Sequence, residues 1–509
     1  MPIEAKRIAK NTFFLYGRML LVMGVSFYTS RVILEVLGVT DYGLYFTIFS
    51  IIGLLSFLNG TLSTSTSRYI TFEIGKGVLE DLKKTFSTSL YSHLFLSGII
   101  LFLGETIGLW YADRILVVPE GQETAAMIVY QISIFCTLLS IIQVPFSAEI
   151  IAHERMNAYA FLGIYEACAK LGIVFILKYV SFNKIILYGI LQASVTVSLL
   201  IIFIIYNKRN FKEVQFSTPY DKSIFKSMIK FSGWNIIANL CNSLMNQGVV
   251  MLFNIFFIPA IVAAQTLANQ ISLAANQFVT NIRQAINPQI IKLYAEGDKR
   301  QSEILTIKSS EYILYLLLFI GVPSILVMPR ILDIWLVDVP EMAIAFCRLM
   351  ILQIILDNFN NAFYVPMLAA NKISTNAVLA GVICGIQFFL TWLLFHYGLG
   401  PLWARYLGIF SVTILSYFVK PLILVRQVRY SVNMIFKCLG KSLFIMFSIG
   451  ILSSVLYLIW PQTSLLDSIG VAILSCFMVI LVSYFIISSE ERSRLHKIIL
   501  KQYSKLKFK

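Results

Sequence analysis

Apolar residues in this chain form long blocks that alternate with short polar connections. Three examples are Leu94–Leu109, Leu314–Met328 and Leu443–Trp460, each with apolar flanks. With its flanks, such a block reaches about 20 residues, the length at which an α-helix crosses the hydrocarbon core, whereas a membrane β-strand needs only about ten alternating residues. The pattern therefore predicts an all-α polytopic membrane protein.

The apolar blocks predict about 14 transmembrane helices. The longest connections between them, about 207–230 and 281–308, are too short for a folded domain of at least about 50 residues, so we expect no soluble catalytic domain. The predicted helices begin near Asn11, Tyr42, Thr85, Ala125, Tyr159, Lys184, Phe231, Pro259, Tyr312, Ala343, Asn376, Trp403, Lys441 and Asp467.

The composition supports a membrane location and gives no sign of an enzyme. Of 509 residues, 58% are hydrophobic and 13% are charged, about half the charged fraction of a typical soluble protein. The sequence contains no nucleotide-binding, hydrolase or zinc-ligand motif. Its seven cysteines are scattered without a CxxC or Cys/His cluster. We therefore expect neither enzymatic activity, nor a cofactor, nor a metal site.

The distribution of basic residues predicts the topology. The net charge is +15, and with a cytoplasmic N-terminus, 31 of the 41 Lys and Arg residues fall in cytoplasmic segments and four in external loops. This is the positive-inside pattern of membrane proteins. It predicts two cytoplasmic termini, no nucleic-acid partner, and a basic tail that rests on anionic lipid.

Short segments of the first half recur in the second half. Arg114–Leu116 is echoed by Arg330–Leu332, and Val118–Glu120 is echoed by Val339–Glu341. Together with two further matches, the sequence offsets range from 216 to 221 residues. Six helices per repeat would give two parallel bundles, and two additional helices would follow. The predicted divisions are an N-terminal bundle at 1–206, a cytoplasmic linker at 207–230, a second bundle at 231–425, two additional helices at 437–488 and a basic cytoplasmic tail at 489–509.

Amide side chains recur along the predicted seventh and eighth helices. They lie three or four residues apart, which places each set on one helix face. Because amides both donate and accept hydrogen bonds, such a stripe suits sugar hydroxyls in a wet cavity; the alternative is hydrogen bonding between packed helices. The candidate binding amides are Asn239, Asn242, Asn246, Asn269 and Asn276.

Three arginines are candidates for binding an anionic substrate. Arg18 lies inside the first helix with no carboxylate within four residues, and its planar guanidinium fits phosphate oxygens. Arg68 and Arg283 lie near the ends of the second and eighth helices. For these two, the alternative is anchoring at the membrane surface.

Three further ionisable residues are candidates for ion coupling, because charge inside a membrane is costly and marks function. Asp357 is the one carboxylate placed deep in the second bundle. Glu166 and Lys170 are four residues apart in the favourable order for a helical ion pair. The alternative for this pair is simple mutual neutralisation.

Two segments resemble bacterial polysaccharide flippases of the multidrug/oligosaccharidyl-lipid/polysaccharide exporter superfamily. Ser30–Tyr45 is similar to their first external turn, and Pro145–Ala148 with Ile151–Asn157 is similar to their connection between the fourth and fifth helices. The resemblance implies translocation of undecaprenyl-pyrophosphate-linked oligosaccharide across the inner membrane for O-antigen or capsule assembly. It also implies membrane lipid and other polysaccharide-assembly proteins as partners.

Other assignments remain open at this point. A 14-helix chain also resembles peptidoglycan-precursor flippases, although their Arg-Asp pairing in the first helix is absent here. Drug/cation antiporters of the superfamily typically place a carboxylate in the first helix, where this chain has Arg18. A membrane polysaccharide polymerase would need long external loops, and the longest one predicted is about Leu109–Thr124.

The predicted topology can be tested with reporter fusions at Lys509 and Gly121. Because the basic residues concentrate on one side of the membrane, the fusion at Lys509 should report the cytoplasm and the fusion at Gly121 the external side. Enzyme reporters that are active on one side only provide the measurement. The same sidedness at both positions would contradict the predicted helix count.

Overall fold

The computed structural model describes residues 2–486 and 492, apart from 56, 181, 215–219, 227, 229–238, 242, 371 and 461–463. Every regular element in these residues is helical. The α-helices are α1 Pro2–Leu55, α2 Phe57–Lys76, α3 Leu79–Leu103, α4 Leu109–Arg114, α5 Glu123–Ala152, α6 Met156–Tyr179, α7 Lys184–Asn210, α8 Val249–Phe256, α9 Pro259–Ala295, α10 Lys299–Leu326, α11 Met328–Trp335, α12 Ala343–Phe359, α13 Tyr364–Ala369, α14 Ile373–His396, α15 Trp403–Ile414, α16 Lys420–Ile423, α17 Val432–Ile459 and α18 Leu465–Ile486.

The described helices confirm the prediction of an all-α polytopic membrane protein. Among the described residues, eleven helical stretches are long and apolar enough to cross a membrane. Helix α1 breaks at Gly38, where φ is +77°, close to the predicted start of a second span at Tyr42. The predicted seventh span begins at Phe231, outside the described residues, and α9 is not among the eleven stretches. The count of 14 therefore stays a prediction.

The first compact unit comprises Met1–Gln277, Trp335–Phe346 and Ser374–Ser411. Within it, α5 packs along α7 and α1 packs along α6. A core of apolar side chains from α3, α5 and α7 includes Phe86 and Phe146, whose rings contact edge to face at 5.6 Å. The helices that form the cavities described below are thus fixed by apolar packing.

The second compact unit comprises Phe278–Ile334, Cys347–Ile373 and Val412–Lys509. Here α17 and α18 pack against α10, and Lys441 on α17 forms a 2.8 Å ion pair with Glu311 on α10. The predicted additional helices at 437–488 thus have a defined packing partner. The predicted repeat of two six-helix bundles is a separate hypothesis and stays a prediction, as does lipid contact by the tail, of which only residue 492 is described.

Specific contacts join early and late parts of the chain within the first unit. The Asn254 side chain accepts a hydrogen bond from the Val117 N–H at 3.0 Å and donates one to its carbonyl at 3.1 Å. The indole of Trp335 donates to the Phe27 carbonyl at 2.8 Å. A Cβ atom added to Gly43 would lie 2.2 Å from the Pro259 carbonyl oxygen. Gly43 therefore permits a backbone approach that no other residue would allow.

Replacing Gly43 with Ala should destabilise the protein. The added methyl group would overlap backbone atoms of Pro259, and overpacking of this kind costs about 1–3 kcal/mol. The measurement is the thermal unfolding midpoint of the purified protein in lipid nanodiscs. Gly24→Ala is the matched control, because no atom lies within 4 Å of its added Cβ. Equal midpoints for both variants would contradict the close packing at Gly43.

Candidate functional site

Two adjoining cavities lie among the membrane helices of the first unit. One has a volume of about 360 Å³ and is bounded by α1, α5, α6 and α7. The other, of about 280 Å³, lies among α1, α6 and α7 and reaches α9. Glu166, Lys170 and Gln192 line both cavities. The shared residues make the two cavities a single candidate site for a polar ligand.

An ion pair forms the boundary between the cavities. Helix α6 places Glu166 and Lys170 one turn apart, and the Lys170 Nζ lies 2.6 Å from the Glu166 Oε1. The two side chains remain 37% and 42% exposed, so the pair faces cavity space. The helical ion pair expected from the sequence is thus formed, and its participation in ion coupling stays a prediction.

Arg18 lies in the wall of the smaller cavity. Its guanidinium stacks 4.4 Å from the centre of the Tyr159 ring, an arrangement that stabilises a cation. A Cβ atom on Gly163 would lie 2.1 Å from the Arg18 Nε. That Nε is buried and has no hydrogen-bond partner among the described residues. Gly163 therefore provides the space that the guanidinium occupies in the cavity wall.

The ionisable side chains give the cavities an excess of positive charge. Arg18 and Lys170 are cations and Glu166 is an anion, so their formal sum is +1. Electrostatic interactions are strong in a low-dielectric site with restricted water. The cavities consequently favour an anionic group over a cationic one.

Neutral polar side chains extend the cavity lining beyond these charges. Gln270 on α9 lines the smaller cavity and donates to the backbone carbonyl and hydroxyl oxygens of Ser26, each at 3.3 Å. In the larger cavity the neutral polar lining comes mainly from Thr137, Ser140 and Gln143. Together these groups supply donors and acceptors of the kind that bind sugar hydroxyls.

The second unit places the other charged candidates in a cluster of their own. Arg283 donates to the Asn358 side-chain oxygen at 2.7 Å and to its carbonyl at 2.9 Å. Lys420 is buried and interacts electrostatically with Asp357 and Arg283. The Arg283 guanidinium is thus already engaged within its own unit. Substrate binding by Arg283 and ion coupling by Asp357 stay predictions.

Much of the amide stripe on α9 forms hydrogen bonds along its own helix. Gln265 donates to the Asn269 side-chain oxygen at 2.7 Å, and Asn276 donates to the Ser272 hydroxyl at 3.2 Å. This use of amides is distinct from both a cavity wall and contacts between helices. The amide of α9 that reaches a described cavity is Gln270, which the sequence analysis did not select.

The remaining candidates occupy different positions. Arg68 is exposed on α2, Asn246 is exposed in the π-helical segment Leu244–Gly248, and Asn239 is half-buried. Asn242 lies outside the described residues. Arg68, Asn246 and Asn239 are not among the described residues that line the two cavities. Their substrate contacts stay predictions.

Sequence reasoning missed several residues of the site, for two different reasons. Gln143 and Gln192 are amides inside predicted membrane helices, but neither has another amide three or four residues away, so the spacing that selected the amides of α9 passes over them. Tyr159 and Gly163 carry no such signal. Their importance comes from contact with Arg18 across two packed helices.

Solved structures of low sequence identity show the same fold as this chain. An inward-facing multidrug resistance MATE family transporter of the MOP superfamily aligns with a TM-score of 0.60 and 13% identity, covering 79% of this chain and 92% of its own. A MOP superfamily transporter from Pyrococcus furiosus, described as having a binding pocket of reverse polarity, aligns at 0.59 and 13%, covering 83% and 97%. A MATE structure in a straight conformation aligns at 0.59 and 14%, covering 81% and 93%. The chain therefore has the fold of MOP-superfamily transporters.

The family assignment is more specific than the fold. Residues 8–294 match the family model described as polysaccharide biosynthesis protein, and the chain belongs to this family. No curated protein matches the sequence. The sequence thus establishes the family, and the solved structures establish the fold.

Thiol labelling can test whether water fills the larger cavity. In a variant without the seven native cysteines, Ser140→Cys should react with a water-soluble thiol reagent, because Ser140 lines the cavity. Phe135→Cys on the same helix is the matched control and should react more slowly. Phe135 is 47% exposed, but it is not among the residues that line the cavity. Mass spectrometry of intact protein in nanodiscs measures the labelling rates. Equal rates at both positions would refute a hydrated cavity.

Proposed function

We propose that this protein is a flippase for undecaprenyl-pyrophosphate-linked oligosaccharide in the bacterial inner membrane. The single observation that carries the proposal is the pair of adjoining polar cavities with Arg18 in its wall. Membership of the polysaccharide biosynthesis family and the MOP transporter fold support the same conclusion. The transported lipid would serve the assembly of a cell-surface polysaccharide.

The substrate's chemistry matches the cavity lining in two respects. A pyrophosphate is anionic, and a guanidinium can donate two parallel hydrogen bonds to phosphate oxygens. The amides and hydroxyls around Arg18 can exchange hydrogen bonds with sugar hydroxyls. The apolar prenyl chain needs no such groups and can remain in the bilayer. Arg18 is therefore the proposed headgroup-binding residue.

The proposed transport cycle is alternating access. The cavities open towards the cytoplasmic leaflet to admit the headgroup and then towards the external leaflet to release it. The charged groups at Glu166, Lys170 and Asp357 are candidates for coupling this change to an ion gradient, because a charge within the membrane responds to ion binding and to the membrane potential. Arg283 is a second candidate contact for the pyrophosphate.

The charge of the cavities separates this proposal from drug/cation antiport. A cationic drug would experience repulsion from Arg18 and Lys170, with Glu166 as the one opposing charge. An anionic headgroup would experience net attraction. The positive excess therefore favours a lipid-linked pyrophosphate over a cationic substrate.

Substitution of Arg18 should impair transport in graded steps. Arg18→Ala removes charge-assisted hydrogen bonds worth roughly 1.5–3 kcal/mol, which corresponds to a loss of about 10- to 100-fold in transport rate. Arg18→Lys keeps the charge but loses the planar fork, so a smaller loss is expected. The measurement is translocation of fluorescent lipid-pyrophosphate glycan in proteoliposomes that contain equal amounts of protein.

Arg31→Ala provides the matched control. Arg31 lies on the same helix, α1, and is not among the residues that line the two cavities. Transport by this variant should stay near the wild-type rate. Wild-type transport by Arg18→Ala would eliminate the proposed headgroup contact. If the wild-type protein moves cationic drugs but no lipid-linked glycan, the proposed function itself is wrong.

A further inference from the structure

Three ionisable side chains converge at the end of α5, away from the cavity lining. Glu149 lies in the last turn of α5, His153 follows the helix end, and Glu213 lies in the segment after α7. One donor atom from each residue lies within 4.8 Å of the other two. The His153 Nε2 is 2.5 Å from the Glu213 Oε1 and 3.2 Å from the Glu149 Oε1. The three residues form a compact cluster, which we call the Glu-His-Glu cluster.

Hydrogen bonding within the protein leaves Glu149 unsatisfied. An imidazole Nε2 carries at most one proton, and the shorter contact of His153 is to Glu213. Glu149 is fully buried, and neither of its carboxylate oxygens has a hydrogen-bond partner among the described residues. A buried carboxylate in this situation needs a cation or a proton. The carboxylate faces a second carboxylate, which strengthens that requirement.

The cluster is held firmly by its surroundings. The His153 ring stacks on Phe211 at 4.4 Å with an interplanar angle of 14°. Glu213 is buried, with 4% of its surface exposed. The positions of all three side chains are therefore fixed by packing or burial.

We propose that the Glu-His-Glu cluster binds a zinc ion. One imidazole nitrogen and two carboxylate oxygens are established zinc ligands, with bond lengths of about 2.0–2.2 Å. Mg²⁺ and Ca²⁺ prefer oxygen ligands alone, so the imidazole disfavours them. The ion would neutralise both carboxylates and satisfy the orphaned oxygens of Glu149.

The proposed ion would connect two parts of the chain that are far apart in sequence. Glu149 and His153 belong to the end of α5, whereas Glu213 is the third residue of the connection that follows α7. Zinc would attach the start of this connection to the end of α5. The ligand spacing explains why sequence motifs missed the site, because two ligands are one helical turn apart and the third lies 60 residues from His153.

Zinc uptake by the full-length protein in nanodiscs tests the proposal. The protein is stripped with EDTA and titrated with ZnCl₂, and bound zinc is measured by mass spectrometry alongside Tm. We expect the wild-type protein to bind a single zinc ion and to gain several degrees in Tm. Glu149→Gln should lose both responses. Glu154→Gln, which alters a neighbouring exposed carboxylate, should keep both.

The design separates zinc binding from a role for these residues in folding. Glu149→Gln removes a buried charge, so this variant should fold and remain at least as stable as wild type in EDTA. X-ray absorption at the zinc edge of the wild-type protein should show nitrogen and oxygen ligands without sulfur. Failure of the wild type to bind zinc, equal binding by Glu149→Gln, or sulfur in the coordination shell would each overturn the proposal.

Discussion

The cost of placing charge in a hydrocarbon layer governs most of the polar structure of this protein. A charged side chain at the bilayer centre costs at least about 2.5 kcal/mol on insertion scales. Each such group therefore needs a partner or access to water. Glu166 and Lys170 pair within α6, Lys441 pairs with Glu311 between helices, and Arg18 stacks on Tyr159. The cavities lie where this pairing is incomplete.

Backbone polar groups in the membrane also need hydrogen-bond partners, and irregular helical segments show how they find them. The α3 helix continues through a π-helical segment at Gly104–Gly108, and the Tyr130 hydroxyl donates to the Gly104 carbonyl at 2.5 Å. In the second unit, Asn360 donates to the carbonyl of Ser416, which lies in the π-helical segment Leu415–Val419. These segments have the wider turn of a π-helix. Side chains from neighbouring helices donate to carbonyl groups within them, and this ties helix packing to helix shape.

These constraints make the contrast between the two charged sites informative. In the second unit, the Arg283 guanidinium donates two hydrogen bonds to Asn358 and has Asp357 and Lys420 as electrostatic neighbours. In the first unit, Arg18 stacks on Tyr159 in the wall of a cavity. The Nε of each arginine is buried without a hydrogen-bond partner among the described residues, so it is the position in a cavity wall that distinguishes Arg18. This position directs attention from the amide-rich α9 to the cavities of the first unit.

The sequence by itself determined the fold class and the pairing of near neighbours. Long apolar blocks predict membrane helices because bilayer thickness sets their length, and a spacing of four predicts the Glu166–Lys170 pair because one helical turn brings the side chains together. The amides of α9 shared one face as predicted. Their hydrogen bonds could not be foreseen, since the same spacing allows pairing along the helix, between helices or in a cavity.

Only the tertiary structure decided which polar residues meet. The space for Arg18 depends on Gly163, the cavity boundary depends on Gln192 of α7, and the Glu-His-Glu cluster depends on a residue 60 positions from His153. No local pattern marks these residues. Contacts between helices depend on the rotation and depth of each helix in the packed bundle, and these are set by the fit of many apolar side chains at once.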